Sequence, residues 1–184
     1  MNKEDFAKFL YTKLREEVLQ TQELRARMIY YKITFISSFT GALWAVYSLT
    51  SQPQIREIIR FVWALPPFAA ICFDFLISGY SFSIKRIGFF FRTYIEPILR
   101  PAEWPKDFPM WEQFMADPAV RQRYSIWGHL GLTGIISLAS GVMFCSDGLS
   151  LLKAIILAII LVSFFFDVKS FLQVGRIASF GFKK

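Results

Sequence analysis

Four long stretches of this chain are almost free of charge, and they constrain its fold more than any other feature. Ile33 to Thr50 is 18 residues without a charged side chain, and Phe61 to Tyr80 is 20 with only Asp74. Tyr124 to Cys145 is 22 with only His129, and Ala154 to Phe166 adds 13. The last run grows to about 20 if Lys153 and Asp167 are end residues whose charged tips snorkel to the interface. A bilayer core of about 30 Å takes about 20 apolar helical residues. The pattern predicts an all-α polytopic membrane protein with four transmembrane helices arranged as two hairpins.

Composition supports this reading and excludes others. Of 184 residues, 54% are apolar and only 19% are charged, whereas soluble domains carry about 25% charged residues. So short a chain cannot enclose that apolar excess within itself. Disordered, collagen-like and disulfide-scaffold classes are excluded by the same figures. Cys72 and Cys145 fall at different depths and read as packing residues rather than a bridge.

The net charge of +7 is explained by topology. Residues 1–32 carry seven Lys or Arg, residues 82–123 seven more and the C-terminal segment four. The two remaining connections hold only Arg56, Arg60 and Lys153. Cytoplasmic flanks are enriched in these residues, so both termini are expected inside. The expected organisation is a cytoplasmic amphipathic helix (1–32), a hairpin (33–81), a cytoplasmic connector (82–123), a second hairpin (124–168) and a basic tail (169–184). The charged first 28 residues lack a cleavable-signal pattern, which leaves the first span as the expected insertion signal.

Between Lys3 and Tyr30 the apolar residues Ala7, Leu10, Leu14, Val18 and Met28 share one helical stripe with Thr21. This helix is expected to lie on the membrane or pack on the other cytoplasmic segment, or else to serve in assembly or sensing. The two outer connections, 51–60 and 146–150, are short. The inner connector opens with an amphipathic run, Ile84, Ile87, Gly88, Phe91 and Ile95 on one face and Lys85, Arg86, Arg92 and Glu96 on the other, although the cations alone are surface candidates. These three cations are candidate membrane-surface or ligand contacts. Pro97 is expected to end or kink the helix. Beyond it, prolines alternating with Trp104, Trp111 and Phe114 suggest an ordered elbow.

A carboxylate inside a span normally faces a bundle interior or an aqueous cavity. Asp74 shares its stripe with Pro67, Ala70, Ser78 and Ser81, so Asp74, Ser78 and Ala70 are candidate pore-lining or gating residues. The structural alternative is a contact from Asp74 to a Ser, Thr or His of a neighbouring helix. Thr34, Ser38 and Gly41 form a small-residue row on the first span, for packing or for a pore wall. Gly131, Gly134 and Gly141 suggest close helix packing on the third. His129, the only histidine, is a structural or gating candidate near the inner boundary. No hydrolytic motif, metal cluster or phosphate-binding loop is present in the sequence, so neither enzymatic activity nor a cofactor or metal is expected. Arg123 and His129 share the spacing of HEPN ribonucleases, but His129 opens a membrane segment.

The stretches YTKLREEVLQTQELRARMIYYKITFISSFTGAL (residues 11–43) and LPPFAAICFDFLISGYSFSIKRIGFFFRTYIEPIL (residues 65–99), with AEWP following, resemble short bacterial integral membrane proteins. Those proteins have a charged N-terminal helix, two membrane hairpins and an Ile-x-x-Ile-Gly connector ending in an acidic-Pro turn. The overall plan is similar to small four-helix membrane effectors of bacterial anti-phage defence, of Hailong-type systems or cyclic-nucleotide signalling operons. The resemblance implies a homo-oligomer of the bacterial inner membrane that stays closed until infection and then depolarises or permeabilises the membrane. The expected function is therefore a gated homo-oligomeric channel or pore. The alternative is a membrane anchor recruiting a cytoplasmic enzyme or nucleoprotein. Expected partners are the lipid bilayer, further copies of the chain and an acidic cytoplasmic ligand or protein, with no specific DNA binding.

Overall fold

The computed structural model describes residues 2–100 and 124–177. These are helical apart from short turns, with no strand among them. Helix α1 runs unbroken from Lys3–Leu49. No Gly or Pro interrupts it before Gly41, and at 1.5 Å per residue it reaches about 70 Å. Then follow α2 (Pro53–Val62), α3 (Leu65–Phe90), a π-helical segment (Phe91–Ile95), α4 (Glu96–Leu99), α5 (Tyr124–Phe144) and α6 (Leu151–Ile177). Among the described residues two runs are long and apolar enough to cross a membrane, Pro53–Leu99 and Leu151–Gln173, and Leu130–Phe144 is a shorter apolar helix.

Three expectations need correction. Residues 51–60 are not a plain connection, because Pro53 sits in the first turn of α2, where its fixed φ and missing N–H cost nothing. Of the two outcomes expected at Pro97, an end or a kink, the end does not occur there. The π segment immediately before it widens the backbone, which accommodates the ring, and α4 continues beyond. Lys153 and Asp167 do not snorkel: they are 5% and 0% exposed. The expected elbow around Trp104, Trp111 and Phe114 lies outside the described residues.

The chain divides into two compact units. One comprises Met1–Ala26, Ser78–Arg123 and Phe171–Lys184. Within it the stripe of α1 turns inward as the spacing predicts, with Ala7 buried and Leu10, Leu14 and Val18 half-buried. Tyr11 packs on Phe91 at a ring distance of 5.0 Å. Ile84 and Ile87 are half-buried, and Phe91 and Ile95 are buried. The amphipathic face of the connector is thus covered by protein.

The other unit comprises Arg27–Ile77 and Tyr124–Ser170. One apolar cluster joins Ala64, Ile71, Phe144 and Ile160, with Phe61 meeting Phe144 edge-on at 5.6 Å. A second joins Leu43, Ile59 and Trp63, flanked by Phe39 and Met143. Gly134 and Gly141 bring α5 close to α6: a Cβ at those positions would stand 3.7 Å from Phe164 and 3.8 Å from Leu157, ordinary contact distances. Gly131 faces open space.

The α5–α6 turn is held by charge. Gly148 adopts φ +108°, where a side chain would be strained. Asp147 accepts hydrogen bonds from Lys153 and pairs with Arg60 at 3.2 Å. Arg60 also donates to the Tyr47 hydroxyl at 3.4 Å, and Lys153 lies 5.6 Å from the centre of the Phe61 ring. The Lys153 ammonium holds the Asp147 carboxyl below its ordinary pKa, chiefly through their hydrogen bond.

Candidate functional site

Burial sorts the polar residues of this unit into two sets. Most lie at the surface or half-buried, where serine and threonine hydroxyls bond to carbonyls of their own helix, as half-buried Thr40 does to Ile36 and exposed Ser48 to Ala45. A few lie fully inside, and these converge. Lys32, Asp74, Thr133 and Asp167 are each 0% exposed, and they come from four different helices, α1, α3, α5 and α6.

Lys32 supplies the donor. Its Nζ lies 2.7 Å from each Asp74 carboxylate oxygen and 2.6 Å from Thr133 Oγ1. The three ammonium protons match these three acceptors. The Thr133 hydroxyl donates in turn to Asp74 Oδ2. Two donors from two helices therefore hold one carboxylate of a third. Ser137 donates to the Thr133 carbonyl at 2.7 Å, one turn further along α5.

Asp167 stands at the edge of this group and interacts electrostatically with both Lys32 and Asp74. Neither of its oxygens accepts a hydrogen bond among the described residues, which is unusual for a buried carboxyl. The cluster thus gathers one basic group, two acidic groups and the Thr133 hydroxyl. Its surroundings are apolar: Ile36 follows Lys32 by one turn, and Ile71 and Ile77 flank Asp74 on α3, all at most 2% exposed. In such surroundings charges attract strongly and cost much when left alone.

The sequence-predicted residues separate under the same test. Ala70, Asp74 and Ser78 are buried at 0%, 0% and 3% exposure, on one face of α3. Thr34, Ser38 and Gly41 are exposed on the face of α1 opposite Lys32, and a Cβ at Gly41 would meet nothing within 4 Å. The two small-residue rows are therefore not brought together within one chain. His129 lies on α5 four residues before Thr133. Lys85, Arg86 and Arg92 belong to the other unit, with Arg86 over the Phe82 ring at 5.8 Å and Arg92 over Phe89 at 5.6 Å.

Sequence reasoning found Asp74 and missed three of its neighbours. By position Lys32 reads as part of the positive flank, although Lys32, Ile36 and Leu43 lie on one helical face and the sequence holds that signal. A carboxylate within an apolar run calls for a donor packed against it, and Lys32 is the lysine next to the first charge-free run. Thr133 belongs to the class of partner expected in the structural alternative. Asp167 reads as an end residue because the charge-free run stops there. Comparison with protein-family models, with curated proteins and with solved structures gives no match.

Proposed function

We propose that this chain is a four-span inner-membrane protein with both termini in the cytoplasm, which assembles into a homo-oligomeric gated channel or pore. In this reading the Lys32, Asp74 and Thr133 cluster is the latch that keeps it shut. The observation that carries it is the complete enclosure of Asp74 by donors from two other helices. Ionisable groups inside a membrane are costly and serve pathways, relays or gates by default. Opening would separate α1 or α5 from α3 and uncover a carboxylate, which repeated around several copies would favour cations. The exposed row Thr34, Ser38 and Gly41 is the surface of α1 available for contact between copies. The resemblance to small defence effectors supports a role in disrupting membrane potential during infection.

The test is ion flux through proteoliposomes and membrane potential in cells. Lys32→Met strips the latch of its cation and should raise resting leak, whereas Asp74→Asn should change ion selectivity once the pathway is open. Wild-type flux and selectivity in both variants would remove the cluster from the gate.

The same enclosure also favours a second reading, since a carboxylate satisfied within one chain needs no pore. There the chain is a membrane anchor that recruits a cytoplasmic enzyme or nucleoprotein. A stoichiometric partner bound through residues 1–30 and 101–123, without conductance or toxicity on overproduction, would establish it.

A further inference from the structure

Charge in the buried cluster does not balance. Lys32 brings one ammonium, whereas Asp74 and Asp167 bring two carboxyls, all fully enclosed among apolar neighbours. With every group ionised the cluster keeps a net negative charge inside the protein, a state that burial strongly disfavours. Hydrogen bonding shows the same deficit. Asp167 accepts no hydrogen bond among the described residues, yet its side chain stands within hydrogen-bonding reach of Asp74. Two carboxylates have only acceptors and cannot bond to each other, whereas a protonated carboxyl has one O–H to donate. Asp74 has room for that bond. Lys32 donates to each of its oxygens and Thr133 to Oδ2, which fills three of the roughly four acceptor sites of a carboxylate and leaves one on Oδ1.

We infer that Asp167 carries a proton and donates it to Asp74 Oδ1, which makes the cluster an internal proton-binding site. One added proton corrects both deficits at once: the cluster becomes neutral, and the buried carboxyl of Asp167 gains a partner. Among the described residues, the ionisable groups that meet Asp167 are Lys32 from α1 and Asp74 from α3. The α5 helix contributes the uncharged Thr133 to the cluster, and His129 precedes it by four residues. On α6 itself Lys169 is exposed. The site has a consequence for the latch, and this step rests on the gated reading above. Opening separates the helices and lets water reach Asp167, which passes its proton to water and becomes a carboxylate. A proton held in the closed state and released in the open one makes opening easier as pH rises, by up to about tenfold per pH unit.

Infrared spectroscopy of the full chain in lipid nanodiscs at neutral pH tests the proton directly. The carbonyl stretch of a protonated carboxyl stands apart from the carboxylate and amide bands, so the wild-type chain should show it and Asp167→Asn should not. Circular dichroism checks that the variant keeps its helices. If it does not fold, aspartate labelled with carbon-13 in the wild-type chain serves instead and should move the band. A wild-type spectrum without the band, a band that the label leaves in place, or one that survives Asp167→Asn overturns the assignment. The coupling is read from ion flux in proteoliposomes as pH is varied across neutrality on both sides. His129→Gln is the common background, so that imidazole titration does not enter. Flux should rise with pH while Asp167 is present and stay at its acid level in Asp167→Asn. Flux that ignores pH in a chain that shows the band overturns the coupling and keeps the proton site. A chain that shows the band but never conducts loses the gated reading alone.

Discussion

At Asp74 and Asp167 the same side chain meets opposite circumstances. Asp74 is held by Lys32 and Thr133, while Asp167, equally buried, accepts no hydrogen bond among the described residues. Removing one member of a buried pair strands the other, at a cost of about 3–5 kcal/mol. Asp74→Asn should therefore lower stability by that order, read as an earlier thermal transition in detergent. Asp167→Asn should leave stability unchanged or raise it, because the amide brings N–H donors to a place crowded with acceptors. Replacing Lys32 and Asp74 together by Met and Leu should recover much of what Asp74→Asn loses, as apolar replacements of buried pairs generally do. A larger loss in Asp167→Asn than in Asp74→Asn would mean the two carboxyls have been assigned the wrong parts.

Among the elements, the α5–α6 hairpin depends on charge at its turn more than on length. Asp147 binds Lys153 and Arg60 at once, and its carboxyl is held below the ordinary range chiefly by the Lys153 hydrogen bond. A carboxyl lowered in the folded state stabilises above its unfolded pKa of about 3.9 and loses that contribution as pH falls through the folded value. Acidification below about pH 4 should therefore loosen this turn, seen as faster amide exchange over residues 145–153. Asp147→Asn should show fast exchange there already at neutral pH and little further change on acidification. How far the elements could be read from sequence follows their physics. The stripe of α1 from Ala7 to Val18 was legible because a period of 3.6 repeats over several turns. The α2 helix was not, since Pro53 and a polar start resemble a loop until the Ile59 face finds Leu43 and Trp63 to cover it. The π segment left no signal beyond Pro97 itself.

For the whole molecule, the proposed topology, drawn from the distribution of Lys and Arg, is open to direct measurement. In a chain with Cys72 and Cys145 replaced by Ser, a single cysteine at Ser146 should react with a membrane-impermeant thiol reagent applied to intact spheroplasts. One at Asn2 should react only after the membrane is opened. Labelling of Asn2→Cys from outside would invert the topology and with it the cytoplasmic role of the connector. Four charge-free runs made the helical class legible from sequence. The convergence on Lys32 was not, because partners 42 and 101 residues apart in sequence reveal their meeting only through packing.

Those separations carry a consequence for how the protein is made. On the four-span reading, Lys32 leaves the ribosome well before Asp74, and Asp74 well before Thr133, so synthesis delivers each ionisable group before the group that satisfies it. A nascent chain ending short of residue 133 holds Lys32 and Asp74 without the hydroxyl that bridges them. One ending short of residue 74 holds a lone lysine beside the bilayer. Truncated products should be recognisable to membrane quality control by that unsatisfied charge, and degraded faster than the full chain in a pulse-chase.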